Sequence, residues 1–131
     1  MASYNDVHTV LLDTNILIYS AERPFDIEHQ LMSAGYSDIR VPQVVLEELV
    51  RISRCGTKLS KFARLALEIA KRFKIAELES EGGRADSQLI HAAMTGNYII
   101  ATADAAIRRR LKLEGLPVIF LKDKRLTSQL G

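Results

Sequence analysis

Cysteine is nearly absent from this 131-residue chain. Cys55 stands alone, which excludes an internal disulfide framework and a thiolate zinc site, and makes a reducing cytoplasm the expected setting. Long apolar runs are missing too. The widest uncharged stretch, Ser87 to Ala103, contains His91, Gly96 and Asn97 and cannot span a membrane. The start, Met1 to Asp6, lacks the basic-then-apolar pattern of a signal peptide. There is no phosphate-cradling loop: Gly56-Thr57-Lys58 has no upstream glycine partner, and GxGxxG does not occur. His8, His29 and His91 are scattered, and His91, five residues past Asp86, is off that acid's helical face and reads as structural. Repeats, linkers and low-complexity segments are lacking, which leaves one compact domain over residues 1–131.

What is present is an ordinary globular composition, 47% hydrophobic and 26% charged, with a marked internal asymmetry. Residues 1–50 carry eight acids against two bases, whereas residues 51–131 carry sixteen bases against eight acids. Acids in one part and bases in another suit a polyanion held by cations near a carboxylate-bound metal. They also suit basic residues that are merely solvated helix faces.

The chain alternates short apolar runs with amphipathic stretches. Thr9 to Leu12 reads as a strand buried on both faces, followed by Asp13 and by Thr14 and Asn15, small polar residues able to cap a helix. Helices are expected from Asn15 to Ala21, Ile27 to Ala34, Val44 to Ser53, a capping Thr57 or Ser60 to Phe73, Asp86 to Met94, and Ala105 to Glu114. In the longest, Leu59, Phe62, Ala66, Ile69 and Phe73 form the expected core stripe. Strands are expected at 38–42, 74–78, 98–102 and 117–121, with a flexible loop at Gly82-Gly83 that would widen the way into the site. The tail from Lys122 shows no clear pattern, leaving a short helix or an unstructured end. Strands alternating with helices give an α/β fold with a parallel sheet.

Two acids, Asp13 and Asp104, each follow a strand that is apolar on both faces. At the carboxyl ends of neighbouring parallel strands, where open α/β sheets place their ligands, they would converge. Asp86 begins a helix on the same edge, and either Glu47 or Glu48 can reach it, being about 100° apart around their helix. Converging carboxylates repel, and an all-oxygen donor set draws a hard ion, Mg²⁺ or Mn²⁺. Taken singly, each of these acids is equally a helix cap or a first-turn acid facing the macrodipole, and Thr14, Asn15 and Thr102 are equally plain caps.

The residues resemble the PIN-domain ribonucleases. The likeness rests on Leu12-Asp13-Thr14-Asn15, Val41-Pro42-Gln43-Val44-Val45-Leu46-Glu47-Glu48-Leu49, Ala85-Asp86 with Ala92-Ala93, and Ala101-Thr102-Ala103-Asp104. It continues through Arg108-Arg109-Arg110-Leu111 and Gly115-Leu116-Pro117-Val118-Ile119. The chain is most similar to the archaeal single-domain type related to ribosome-biogenesis endonucleases, and more loosely to the toxins of VapBC-type pairs. The resemblance implies a three-layer sandwich around a parallel sheet of about five strands, a homodimer, and Mg²⁺- or Mn²⁺-dependent cleavage of single-stranded or structured RNA. It leaves open a partner antitoxin. By motif, Asp13, Glu48, Asp86 and Asp104 are the expected acidic set and metal ligands, Glu48 being preferred because it precedes Leu49. Asn15 and Thr102 match supporting polar positions. Lys58, Lys61, Arg64, Arg108, Arg109, Arg110 and Lys112 are the expected RNA-backbone contacts. A non-catalytic RNA- or protein-binding module on the same scaffold is the competing expectation. A phosphotransferase using Asp13 as nucleophile is weaker, because Asn15 stands where such enzymes carry a second acid.

Overall fold

The computed structural model describes residues 9–23, 25–78, 84–96, 98–123 and 125–129. The Gly82-Gly83 loop and His8 lie outside them. In chain order the elements are β1 (Thr9–Leu12), α1 (Thr14–Glu22), α2 (Ile27–Ser33), β2 (Ile39–Pro42), α3 (Gln43–Ser53), α4 (Lys58–Ala70), β3 (Lys74–Ala76), α5 (Ala85–Thr95), β4 (Tyr98–Thr102), α6 (Ala105–Leu113), β5 (Val118–Lys122) and β6 (Arg125–Gln129).

Six strands form one sheet in the order β3-β2-β1-β4-β5-β6. The first five are parallel, as alternating strands and helices require; β6 runs antiparallel to β5. Val10, Leu11 and Leu12 are fully buried, as are Ile100 and Ala101 beside them, so the centre of the sheet is covered on both faces. Leu12 pairs with Ala101, which sets the ends of β1 and β4 side by side. The chain leaves β1 toward β2 and later returns on β1's other side as β4, making this seam the switch point of the sheet.

The tail departs from its expected helix or loose end. Arg125 to Gln129 closes a hairpin on β5, turning at Asp123, whose positive φ of 52° suits a tight turn. Among Arg125 to Ser128 only Leu126 is partly buried, so an edge strand of this kind carries little apolar alternation to read.

The helices pack as α1, α3 and α4 together, with α5 against α3 and α6. The expected stripe of α4 holds at Ala66 and Phe73, which are buried, and at Phe62 and Ile69, which pack on the core, while Leu59 is 47% exposed. The buried positions of the helix are Ser60, Ala63, Ala66 and Ala70. Their small side chains let α4 approach α1 and α3 closely. Ser60 ties the contact: its hydroxyl accepts from the Thr57 N–H at 3.0 Å and donates to the Ile52 carbonyl at 2.8 Å. The helix stops at Ala70, short of Phe73. Just past the end of α1, Arg23 turns extended, the conformation that a following Pro24 favours.

Candidate active site

The corner after β1 is made by the acid itself. Thr14 and Asn15 were the expected caps, but both lie inside α1, and Asp13 is its N-cap. Its Oδ1 accepts from the Ile16 N–H at 2.8 Å, and its Oδ2 accepts from the Thr102 hydroxyl. Thr102 in turn accepts from the Asp104 N–H at 3.0 Å. Asp104 caps α6 in the same manner, with Oδ1 taking the Ala106 N–H at 2.7 Å, and Asn15 donates to its Oδ2 at 3.0 Å. The two corners are thus joined by Thr102 at the floor and Asn15 above it.

Asp13 is 1% exposed. Burial, opposed by the Thr102 and Ile16 hydrogen bonds and reinforced by the charges of Asp104 and Glu48, pushes its carboxyl up to about 7. Among the described residues no lysine or arginine is ion-paired with it, so a negative charge held here lacks a paired counter-charge.

A cleft of about 250 Å³ opens over this floor, lined by residues that include Asp13, Asn15, Glu48, Asp86 and Asp104. Four segments far apart in sequence therefore bring their acids to one hollow. Glu48 reaches it and the exposed Glu47 does not, because Val45 and Leu49 turn that side of α3 inward. Asp86 caps its neighbour, accepting from the Ser87 N–H at 2.9 Å. Among the described residues no three acids, histidines or cysteines form a ready-made ligand cluster. The donors are all carboxylate or amide oxygens, which fit a hard divalent ion taking one or two carboxylates directly and the others through water.

The matching of the chain to known proteins agrees with this geometry. The PIN-like domain family matches residues 10–124. The chain belongs to this family. It is 35% identical to ribonuclease VapC9 of Archaeoglobus fulgidus over 128 residues, 96% of this chain and 93% of that protein. It is 30% identical to the rRNA-processing protein FCF1 homolog of Mus musculus over 88% of this chain, but spans only 58% of that protein. Among solved structures, the PIN domain endonuclease Utp24 superposes with a TM-score of 0.79 at 24% identity, over 98% of this chain and 96% of that one. DNA-bound VapBC from Salmonella typhimurium gives 0.63 at 14% identity, over 86% and 98%. At such identities the likeness establishes the fold.

The basic residues expected to hold RNA stand outside the PIN-like cleft. Lys58 and Lys61 are exposed on α4, and Arg64 donates to the Ser53 carbonyl at 3.1 Å. On α6, Arg108 lies over the Phe120 ring at 4.6 Å and Arg110 is 3.8 Å from Glu114, while Arg109 and Lys112 are exposed. His91 is exposed and takes no part in the cleft.

Three polar residues outside the expected set also line the cleft. Arg51 follows Glu48 by three positions, a spacing that shares a helix face, and Arg84 precedes Asp86 by two. Thr14 is the third, and among the described residues its buried hydroxyl has no hydrogen-bond partner.

No helix among the described residues is long and apolar enough to cross a membrane.

Proposed function

We propose that residues 1–131 form a single nuclease domain, a Mg²⁺- or Mn²⁺-dependent endoribonuclease that cleaves single-stranded RNA. The observation that carries this reading is the meeting of Asp13, Glu48, Asp86 and Asp104 in one cleft, with Asp13 buried and uncompensated. The family membership and the similarity to a protein named a ribonuclease support it. The rRNA-processing relatives and VapC9 give its two alternative settings, rRNA processing and a toxin-type RNase.

In this reading Asp13 and Asp104 would hold the ion, with Glu48 and Asp86 completing the site or holding metal-bound water. When bound, the ion supplies the charge that polarises a phosphodiester oxygen and activates water. The chain's own part is positional. Thr102 and Ile16 fix both oxygens of Asp13, and Asn15 fixes one oxygen of Asp104, so neither carboxylate reorganises as charge develops. The exposed Lys58, Lys61, Arg109 and Lys112 hold RNA backbone further out, with Arg64, Arg108 and Arg110 adding their charge. A partner antitoxin belongs to the same reading, supported by the likeness to VapC9 and to the VapBC structure, and a homodimer and a cytoplasmic setting are its further expectations.

A labelled single-stranded RNA incubated with Mn²⁺ tests it. The wild-type chain is expected to cut, a chelator to stop it, and Asp13→Asn to lower the rate by at least about 10³-fold while staying folded. Undiminished cutting by Asp13→Asn removes the assignment, and RNA binding without cutting by the wild type favours a binding module instead.

A further inference from the structure

Arg51 and Arg84 share the cleft with the acids. Arg51 sits one turn beyond Glu48 on α3, and Arg84 is the N-cap residue of α5, just before Asp86. Helices α3 and α5 pack on one another. Two neighbouring elements therefore each bring one acid and one guanidinium to the cleft that Asp13 and Asp104 also line.

Guanidinium groups that served to neutralise the acids would be paired with them. Among the described residues the ion pairs join other partners, and no carboxylate lies within 4.0 Å of either of these two side chains. Both are exposed. A guanidinium presents a planar fork of donors whose spacing matches two oxygens of one phosphate. The acids alone would repel a nucleic-acid chain; a pair of forks beside them supplies the attraction that brings it in.

We infer that Arg51 and Arg84 form a phosphodiester-binding site at the mouth of the cleft, which holds the phosphate next to the one being cut. The inference rests on the nuclease reading above. A phosphate contact fixes the register of the strand and carries no base sequence, so this site positions the cut without choosing the nucleotide.

The test combines fluorescence anisotropy and Mn²⁺-dependent cleavage of one single-stranded RNA oligonucleotide by the wild type, Arg51→Ala, Arg84→Ala, Arg51→Lys and Arg54→Ala. Arg54 is exposed on α3's end and outside the cleft, so it controls for loss of one charge. Each cleft alanine is expected to raise Kd and KM about tenfold with kcat within about twofold, and to lower the salt slope of binding by roughly 0.7. Arg51→Lys restores the slope and part of the affinity, since an ammonium makes no fork. A substrate with an uncharged methylphosphonate next to the cut makes both alanine substitutions nearly silent, the signature of a shared contact. If the wild type neither binds nor cuts RNA, the nuclease reading falls and takes this site with it. If the wild type cuts while both alanine variants keep its Kd, KM and salt slope, or lose kcat alone, the phosphate site is overturned and the nuclease reading stands.

Discussion

Asp13 and Asp104 sit at corners of one design set in different surroundings. In each, a parallel strand buried on both faces ends in an aspartate whose Oδ1 caps the next helix. Beyond that the corners diverge. Helix α1 buries Thr14, Ile16, Leu17, Ile18 and Ser20, so the cap at its start is enclosed. Helix α6 buries only Ile107 and Leu111 and carries bases on the rest of its surface, so Asp104 remains partly open. One local motif thus gives two kinds of carboxylate. The apolar content of the helix that follows, more than the cap itself, decides which acid is left without water or counter-charge.

The largest effect expected from that difference is on stability against pH. The Asp13 carboxyl is raised from 3.8 to about 7. Between those values the unfolded chain has released the proton and the folded chain still holds it. Stability therefore falls as pH rises through this window and stays low above it, by roughly 4 kcal/mol in all. Urea unfolding without divalent ions, at pH 5 and pH 8, reads the drop. Asp13→Asn flattens it and is more stable than the wild type at pH 8, whereas Asp104→Asn leaves it nearly unchanged. Added Mn²⁺ recovers stability most at the higher pH, because the ion favours the ionised carboxylate. Equal pH profiles for wild type and Asp13→Asn would erase the contrast between the corners.

A smaller effect follows from cutting the link between them. Thr102 is fully buried, donates to Asp13 and accepts from the Asp104 N–H. Thr102→Val keeps the shape and leaves a carboxylate oxygen and a backbone N–H unpartnered, at a cost of about 2–3 kcal/mol at pH 8. Thr102→Ser retains the hydroxyl and recovers most of it. A valine variant as stable as the wild type would mean that the corners stand independently.

These corners were readable because apolar strands on both faces announce a central position, and an acid one or two residues past each lies at the strand's end. Glu48 was separable from Glu47 by motif, and the phase of Val45 and Leu49 on α3 gives the physical reason. The order β3-β2-β1-β4 was not readable, since a sequence records elements and not neighbours. On α4 the expected face holds except at Leu59, but hydrophobic periodicity weights large side chains and so passes over Ser60, Ala63 and Ala70, which close helix packing buries. Arg51 and Arg84 escaped notice for a related reason. They acquire meaning only when α3 meets α5, and charge counting had assigned the bases to the helix faces around Lys58 and Arg109.

The smallest expected effect sharpens the comparison at one atom. Thr14 and Ala105 hold the same place, the first residue of the helix after each aspartate. Ala105 shows that the corner needs no hydroxyl there, and the buried Thr14 hydroxyl has no hydrogen-bond partner among the described residues. Such a group lowers stability, because it gave up water on folding and gained no partner. Thr14→Val preserves volume and removes that loss, so the variant is expected to match the wild type or exceed it by up to about 1 kcal/mol in urea unfolding without ions. Its pH profile should follow the wild type's, since Thr14 is absent from the groups that set Asp13's proton affinity. A loss of 1 kcal/mol or more would mean that the hydroxyl has found a partner in solution, which at the wall of this cleft is an ordered water held beside Asp13.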